Sequence, residues 1–225
     1  MPAPVDVGIV YIGQSPRPSV EAELLPVLGD RVRLVPAGAL DGLTRSEIDG
    51  LAPAAGEDML FTRLSDDTPV KLGKRAVETR LAHQFAILRE RGVSSVALAC
   101  TGDFAGLAAS PRLLYPSRLL DRAVDAVAPT RLAVLTPLDG LVPATTARWR
   151  ARGYDDVTVV PLTPVDDAAA AEAAGHALAP ILPDLVVFDC ISYNRQHRAR
   201  VMAHVDAPAL VAIDVLAHCM AALYA

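Results

Sequence analysis

The chain has 225 residues, of which 52% are hydrophobic and 4% aromatic, and a formal net charge of −5. Its basic residues are scattered, the densest cluster being Arg195, His197, Arg198 and Arg200, so no basic face offers itself to a nucleic acid. The longest apolar runs, such as 132–135 and 185–188, fall well short of the roughly 18–20 residues a membrane-spanning helix needs, and the opening MPAPVDVGIVYIGQ lacks the basic start of a secretory signal. A soluble, cytoplasmic protein with heavily buried strands is therefore expected. Three cysteines without zinc-ligand spacing predict neither a disulfide framework nor a metal site.

Seven strands are predicted, at 7–12, 32–36, 93–100, 131–136, 157–162, 184–190 and 209–213. They read as continuous apolar runs, the pattern of strands buried on both faces. Helical segments fall between them, at 21–28, 74–91, 119–127, 142–152, 166–182, 195–204 and 215–224. In the second, Val77, Leu81, Phe85 and Leu88 follow one another at spacings of four, four and three, which places them on one helical face. Strands alternating with helices predict an α/β fold with parallel sheets and right-handed crossovers.

The same pattern is stated twice. Each half opens with a strand, a turn, a helix and a second strand, and each later reaches a strand ending in cysteine: VSSVALAC at Cys100 and PDLVVFDC at Cys190. From Ile12 to Cys100 is 88 positions and from Leu135 to Cys190 is 55. The excess falls in the segment 41–73, rich in Gly, Asp and Thr, which reads as an inserted lobe or lid. Two pseudo-symmetric Rossmann-like halves are expected, at 1–115 and 116–213, with a ligand cleft between them. The helix at 214–225 is expected to pack back on the first half.

In open parallel sheets, ligands bind beyond the carboxyl ends of strands. Cys100 and Cys190 stand at such ends, followed by Thr101-Gly102-Asp103 and Ile191-Ser192-Tyr193-Asn194. A matched pair of thiols suits a two-base reaction, one thiolate removing an α-proton of a carboxylate while the opposite thiol delivers one to the other face. The alternative is two ordinary buried cysteines; Cys219, amid Ala, Met and Leu, reads as a core residue. Gly13-Gln14-Ser15-Pro16-Arg17 joins the first strand to its helix, so Gln14, Ser15 and Arg17 are candidates for holding a carboxylate or phosphate. Equally, Ser15 can simply cap the helix. Thr136-Pro137 occupies the equivalent place in the second half. Glu57 and Asp58 can reach a bound amine or an internal arginine, and His197 or Arg198 can act on the Cys190 thiol. Walker, dinucleotide-fingerprint, zinc-protease and nucleophile-elbow motifs are all missing from the sequence.

At IGQSPRP (12–18), AGED (55–58), YPSRLL (115–120) and DCISYNRQHR (189–198) the chain resembles the AroM family, a relative of the aspartate/glutamate racemase superfamily. The resemblance runs over nearly the whole chain. It implies a cofactor-independent racemase or epimerase of a small amino acid or related carboxylate, with Cys100 and Cys190 catalytic. Gln14, Ser15, Arg17, Thr101, Gly102, Thr136, Pro137, Ile191 and Ser192 would bind substrate. No pyridoxal phosphate or metal is implied. The racemases set their second cysteine between glycine and threonine; here Asp189 and Ile191 flank it, and an adjacent anion opposes thiolate formation. A single-cysteine isomerase or decarboxylase, and a non-catalytic carboxylate-binding protein, are the alternatives. The sequence leaves the oligomeric state open, a homodimer being the commonest outcome for soluble homo-oligomers.

Overall fold

The computed structural model describes residues 3–66, 68–107 and 112–224. Met1, the first residue of the expected first half, Ala225, the last of the expected C-terminal helix, and Asp67 of the expected insertion lie outside these. The chain divides into two units, one running to Tyr115 and rejoined by the residues from Cys219 onward, the other Pro116–His218.

In the first unit, β1 (Val5–Tyr11) lies between β2 (Val32–Gly38) and β5 (Ser95–Ala99), and β5 pairs with the two-residue β6 (Leu113–Leu114), every pairing being parallel. The last five residues of β1 and all of β5 are buried, as strands covered on both faces must be. Helix α1 (Pro18–Leu28) carries the crossover to β2, and α3 (Lys74–Glu90) the crossover to β5. The expected face of α3 is the one that turns inward, with Val77, Leu81 and Leu88 buried and Phe85 packed at the margin.

Helix α1 starts three residues before the expected position 21. Pro18 takes the first helical position, where its missing N–H costs nothing, and Arg17 is the cap residue. Ser15 therefore does not cap this helix. The segment between β2 and α3 folds into a short helix, α2 (Arg45–Asp49), closed by a Thr44–Glu47 capping box, and an antiparallel hairpin of β3 (Met59–Arg63) and β4 (Pro69–Gly73). The hairpin is a two-stranded sheet of its own.

The second unit repeats the arrangement. Its strand β7 (Leu132–Thr136) lies between β8 (Val157–Pro161) and β9 (Leu185–Phe188), and β9 pairs with β10 (Ala209–Val211), again all parallel. Helices α5 (Val142–Ala151), α6 (Ala168–Leu178) and α7 (Arg195–Met202) supply the crossovers, α4 (Pro116–Val127) precedes β7, and α8 (Ala212–Tyr224) follows β10. Trp149 of α5 is fully buried with Leu120 and Val124 of α4 and the strand residues Leu132, Val134, Leu185 and Val187. In both sheets the outermost strand opposite the short one carries a proline, Pro36 in β2 and Pro161 in β8. No described helix is long and apolar enough to cross a membrane.

Candidate functional site

Each sheet has a point where strand order reverses. From β1 the chain steps outward to β2, while from β5 it continues to the other edge; β7 and β9 repeat the divergence. Loops leaving the carboxyl ends of such a pair splay apart and leave a crevice. Register fixes which loops these are. Tyr11 is opposite Ala99, so the loop from Ile12 leaves beside Cys100; Leu135 is opposite Phe188, so Thr136 and Pro137 leave beside Asp189 and Cys190. The first unit thus gathers Gln14, Ser15, Arg17, Cys100, Thr101 and Gly102 at one sheet end. The second gathers Thr136, Pro137, Cys190, Ile191 and Ser192.

In the first unit the loop 13–17 is held from behind by Asp41, a residue without a sequence signal. One carboxylate oxygen of Asp41 accepts the Ser15 N–H at 2.8 Å; the other accepts the Ser15 hydroxyl at 2.6 Å and the Gly38 N–H at 2.7 Å. Ser15 so commits both of its donors to an anion within the protein. Gly38 is required here, because a Cβ would lie 2.5 Å from the Gly13 carbonyl oxygen and 2.7 Å from the Ser15 nitrogen. The hairpin holds the loop from the other side: Gln14 Oε1 accepts the Ser65 N–H at 2.8 Å, and Arg17 Nη1 donates to the Arg63 carbonyl at 2.8 Å. The Tyr11 hydroxyl, buried at the strand end, donates to Glu21 at 3.0 Å, and burial together with that carboxylate pushes the phenol well above its usual range.

Cys100 is buried and accepts the Gly102 N–H on its sulfur at 3.3 Å. A donor aimed at sulfur favours the thiolate. A side chain at 102 would crowd this contact, since a Cβ would lie 3.3 Å from Cys100 Sγ and 3.2 Å from Phe104. Glu57 takes hydrogen bonds from within the first unit. Its carboxylate accepts the N–H groups of Ala54 and Arg75, the latter in the first turn of α3, and these bonds hold its pKa below the usual value. Asp58 pairs with Lys74 at 3.3 Å.

In the second unit Cys190 is half-buried, Thr136 and Ile191 are buried, and the Thr136 hydroxyl meets that of Thr145 at 3.4 Å. The buried carboxylate of Asp189 is bound by the Arg148 guanidinium from α5. Arg148 also approaches Asp121 at 3.5 Å, Arg152 bridges Asp121 at 3.2 Å and Asp125 at 2.7 Å, and Tyr154 donates to Asp125 at 3.1 Å. Burial raises the Asp121 pKa despite both arginines, whereas the bonds from Arg152 and Tyr154 outweigh burial and lower that of Asp125. The anion beside Cys190 thus has a cation of its own, which weakens the objection that the Asp189-Cys190 dipeptide raises. His197 is occupied structurally: it accepts the Asn194 N–H on Nδ1 at 3.3 Å and contacts the Val165 carbonyl through Nε2 at 3.0 Å, capping α7. Tyr193 is buried and donates to the Leu162 carbonyl at 2.5 Å.

Parallel α/β sheets stated twice, with matching strand order, are the fold of the aspartate/glutamate racemase-like proteins. Solved structures of these proteins match over nearly the whole chain. Maleate isomerase from Pseudomonas putida S16 superposes with a TM-score of 0.58 at 16% identity, covering 97% of this chain and 92% of that one. A doubly substituted arylmalonate decarboxylase in liganded form gives 0.65 at 16% identity, covering 98% and 92%. Allantoin racemase from Klebsiella pneumoniae gives 0.59 at 13% identity, covering 97% and 88%. At these identities the likeness speaks for the fold. The AroM protein family model matches residues 7–224, and the chain belongs to that family. No curated protein sequence matches it.

Proposed function

We propose that the protein is a cofactor-independent racemase or epimerase of a small amino acid or related carboxylate, with Cys100 and Cys190 as its acid–base pair. The observation that carries this reading is the placement of a cysteine at the switch point of both sheets, directly beyond β5 and one residue further along from β9. One sulfur, as thiolate, takes the α-proton; the carboxylate substrate holds the resulting charge as an enediolate; the other thiol returns a proton to the opposite face. Neither pyridoxal phosphate nor a metal takes part in this scheme. Gln14 and Arg17, together with Thr101, Gly102, Thr136, Pro137, Ile191 and Ser192, form the substrate surroundings, and Ser15 contributes by fixing its loop to Asp41.

The test is wash-in of solvent deuterium at the α-carbon across a panel of amino and hydroxy acids, followed by chiral analysis. Cys100→Ser and Cys190→Ser are each expected to lower exchange by at least about 100-fold, the usual worth of a general acid or base. Full activity in both variants overturns the two-thiol reaction.

A second reading, a single-cysteine isomerase or decarboxylase, is favoured by the unequal surroundings of the thiols: a backbone donor on Cys100 and an ion pair next to Cys190. The fold also occurs in a maleate cis-trans isomerase from Nocardia farcinica captured with a covalently bound succinylcysteine intermediate. Under this reading one serine variant keeps its activity, and the product differs from the substrate by geometry or by loss of CO2, which mass analysis separates from racemisation.

A further inference from the structure

We infer that Arg148 is a positioning residue for Cys190, setting the charge beside the thiol by neutralising Asp189; the inference rests on the reading of Cys190 as an acid–base group. Asp189 precedes Cys190 directly and is 8% exposed, so its charge is poorly screened by water. Asp189 and Cys190 both act electrostatically on the Tyr193 ring hydroxyl, so they lie within one field, and a carboxylate within reach of a thiol disfavours the thiolate unless a cation answers it. Arg148 answers it from α5, one guanidinium nitrogen bonding Asp189 and the other lying 3.5 Å from Asp121.

Three contacts fix where that cation sits. Besides Asp189 at the end of β9 and Asp121 on α4, the guanidinium carbon lies 4.7 Å from the centre of the Trp149 ring. Arg152 takes the second oxygen of Asp121, so that carboxylate does not draw on Arg148 alone. The charged and titratable groups joined here include Asp189, Arg148 and Arg152 on α5, Asp121 and Asp125 on α4, and His197 of α7 against the Tyr193 ring. Charge at both Cys190 and Asp189 acts on the Tyr193 phenol, after burial, to raise it, so the three groups share one field.

The experiment measures iodoacetamide alkylation of Cys190 in the full chain, quantified on its own peptide by mass spectrometry from pH 6 to 9, and needs no substrate. An opposite or like charge nearby moves a pKa by roughly 1–3 units, and the more basic thiolate recovers about half of that in intrinsic reactivity. Arg148→Met is therefore expected to slow alkylation at pH 7 by about 3- to 30-fold and to move the profile to higher pH. Adding Asp189→Asn to it removes the anion and restores the profile. Asp189→Asn alone, which keeps Arg148, moves the profile to lower pH, and carries the test if Arg148→Met does not fold.

An unchanged profile in Arg148→Met, a double variant as slow as the single one, or an unmoved Asp189→Asn profile overturns the inference. These outcomes are independent of turnover. Loss of deuterium exchange with the expected alkylation pattern, or the reverse, distinguishes failure of the inference from failure of the enzymatic reading.

Discussion

At the end of β5 the thiol of Cys100 meets a backbone N–H, whereas Cys190 beyond β9 follows a buried carboxylate tied to an arginine. The two places are equivalent in strand order and unlike in chemistry. Support in the first unit comes largely from neutral donors and one carboxylate, Asp41, that collects two backbone N–H groups and a hydroxyl. Support in the second is a chain of alternating charges from Asp189 through Arg148, Asp121 and Arg152 to Asp125. Topology decides where a cysteine stands; the residues behind it decide what the thiol feels.

The contrast can be broken at three points. Asp41→Ala removes the acceptor of three hydrogen bonds, each worth about 1.5–3 kcal/mol to a charged group before allowance for partial exposure. Urea denaturation is expected to show a loss of about 3 kcal/mol. Labelling of Cys100 should change and that of Cys190 should not; a matching change at Cys190 would mean the two supports are not separate. Tyr154→Phe takes one hydrogen bond from Asp125 and leaves the Arg152 pair, so the same measurement should show about 1 kcal/mol.

The smallest effect is electrostatic. The Glu57 pKa is lowered from 4.5 by the N–H groups it accepts. A depressed carboxyl contributes stability that is present above its unfolded value and lost as pH falls through its folded one. Glu57→Gln should therefore melt lower than wild type at neutral pH, and the two melting curves should converge in acid, as pH falls through the lowered folded-state value and the wild-type carboxyl protonates. Curves that stay parallel through the acid range would show that the charge of Glu57 adds nothing.

The parallel strands were legible because burial on both faces writes itself as an unbroken apolar run, and α3 because its inward residues keep helical spacing. The hairpin was not. Residues 59–63 and 69–73 are mostly partly exposed and include Thr62, Arg63 and Lys71, so only the three-residue apolar stretch Met59-Leu60-Phe61 is left to read. Strand β6, with two residues, is below any pattern. The cysteines were readable as strand-end residues, but Asp41 and Arg148 act across 26 and 41 positions of sequence. A carboxylate at a buried strand end does announce that a cation is needed. It does not say which of the 21 lysines and arginines will supply it.

The prolines of β2 and β8 bear on how open the sheet edges are to another chain. An outer strand offers a row of unpaired N–H and C=O groups on which another chain can template itself. Pro36 and Pro161 each delete a donor from that row, and at the opposite edges β6 and β10 are only two and three residues long. Both sheets are thus blunted in the same two ways, by a missing donor on one side and by brevity on the other. Replacing either proline with valine would lengthen the sticky edge, so such variants are where amyloid-like aggregation of this fold would first be sought.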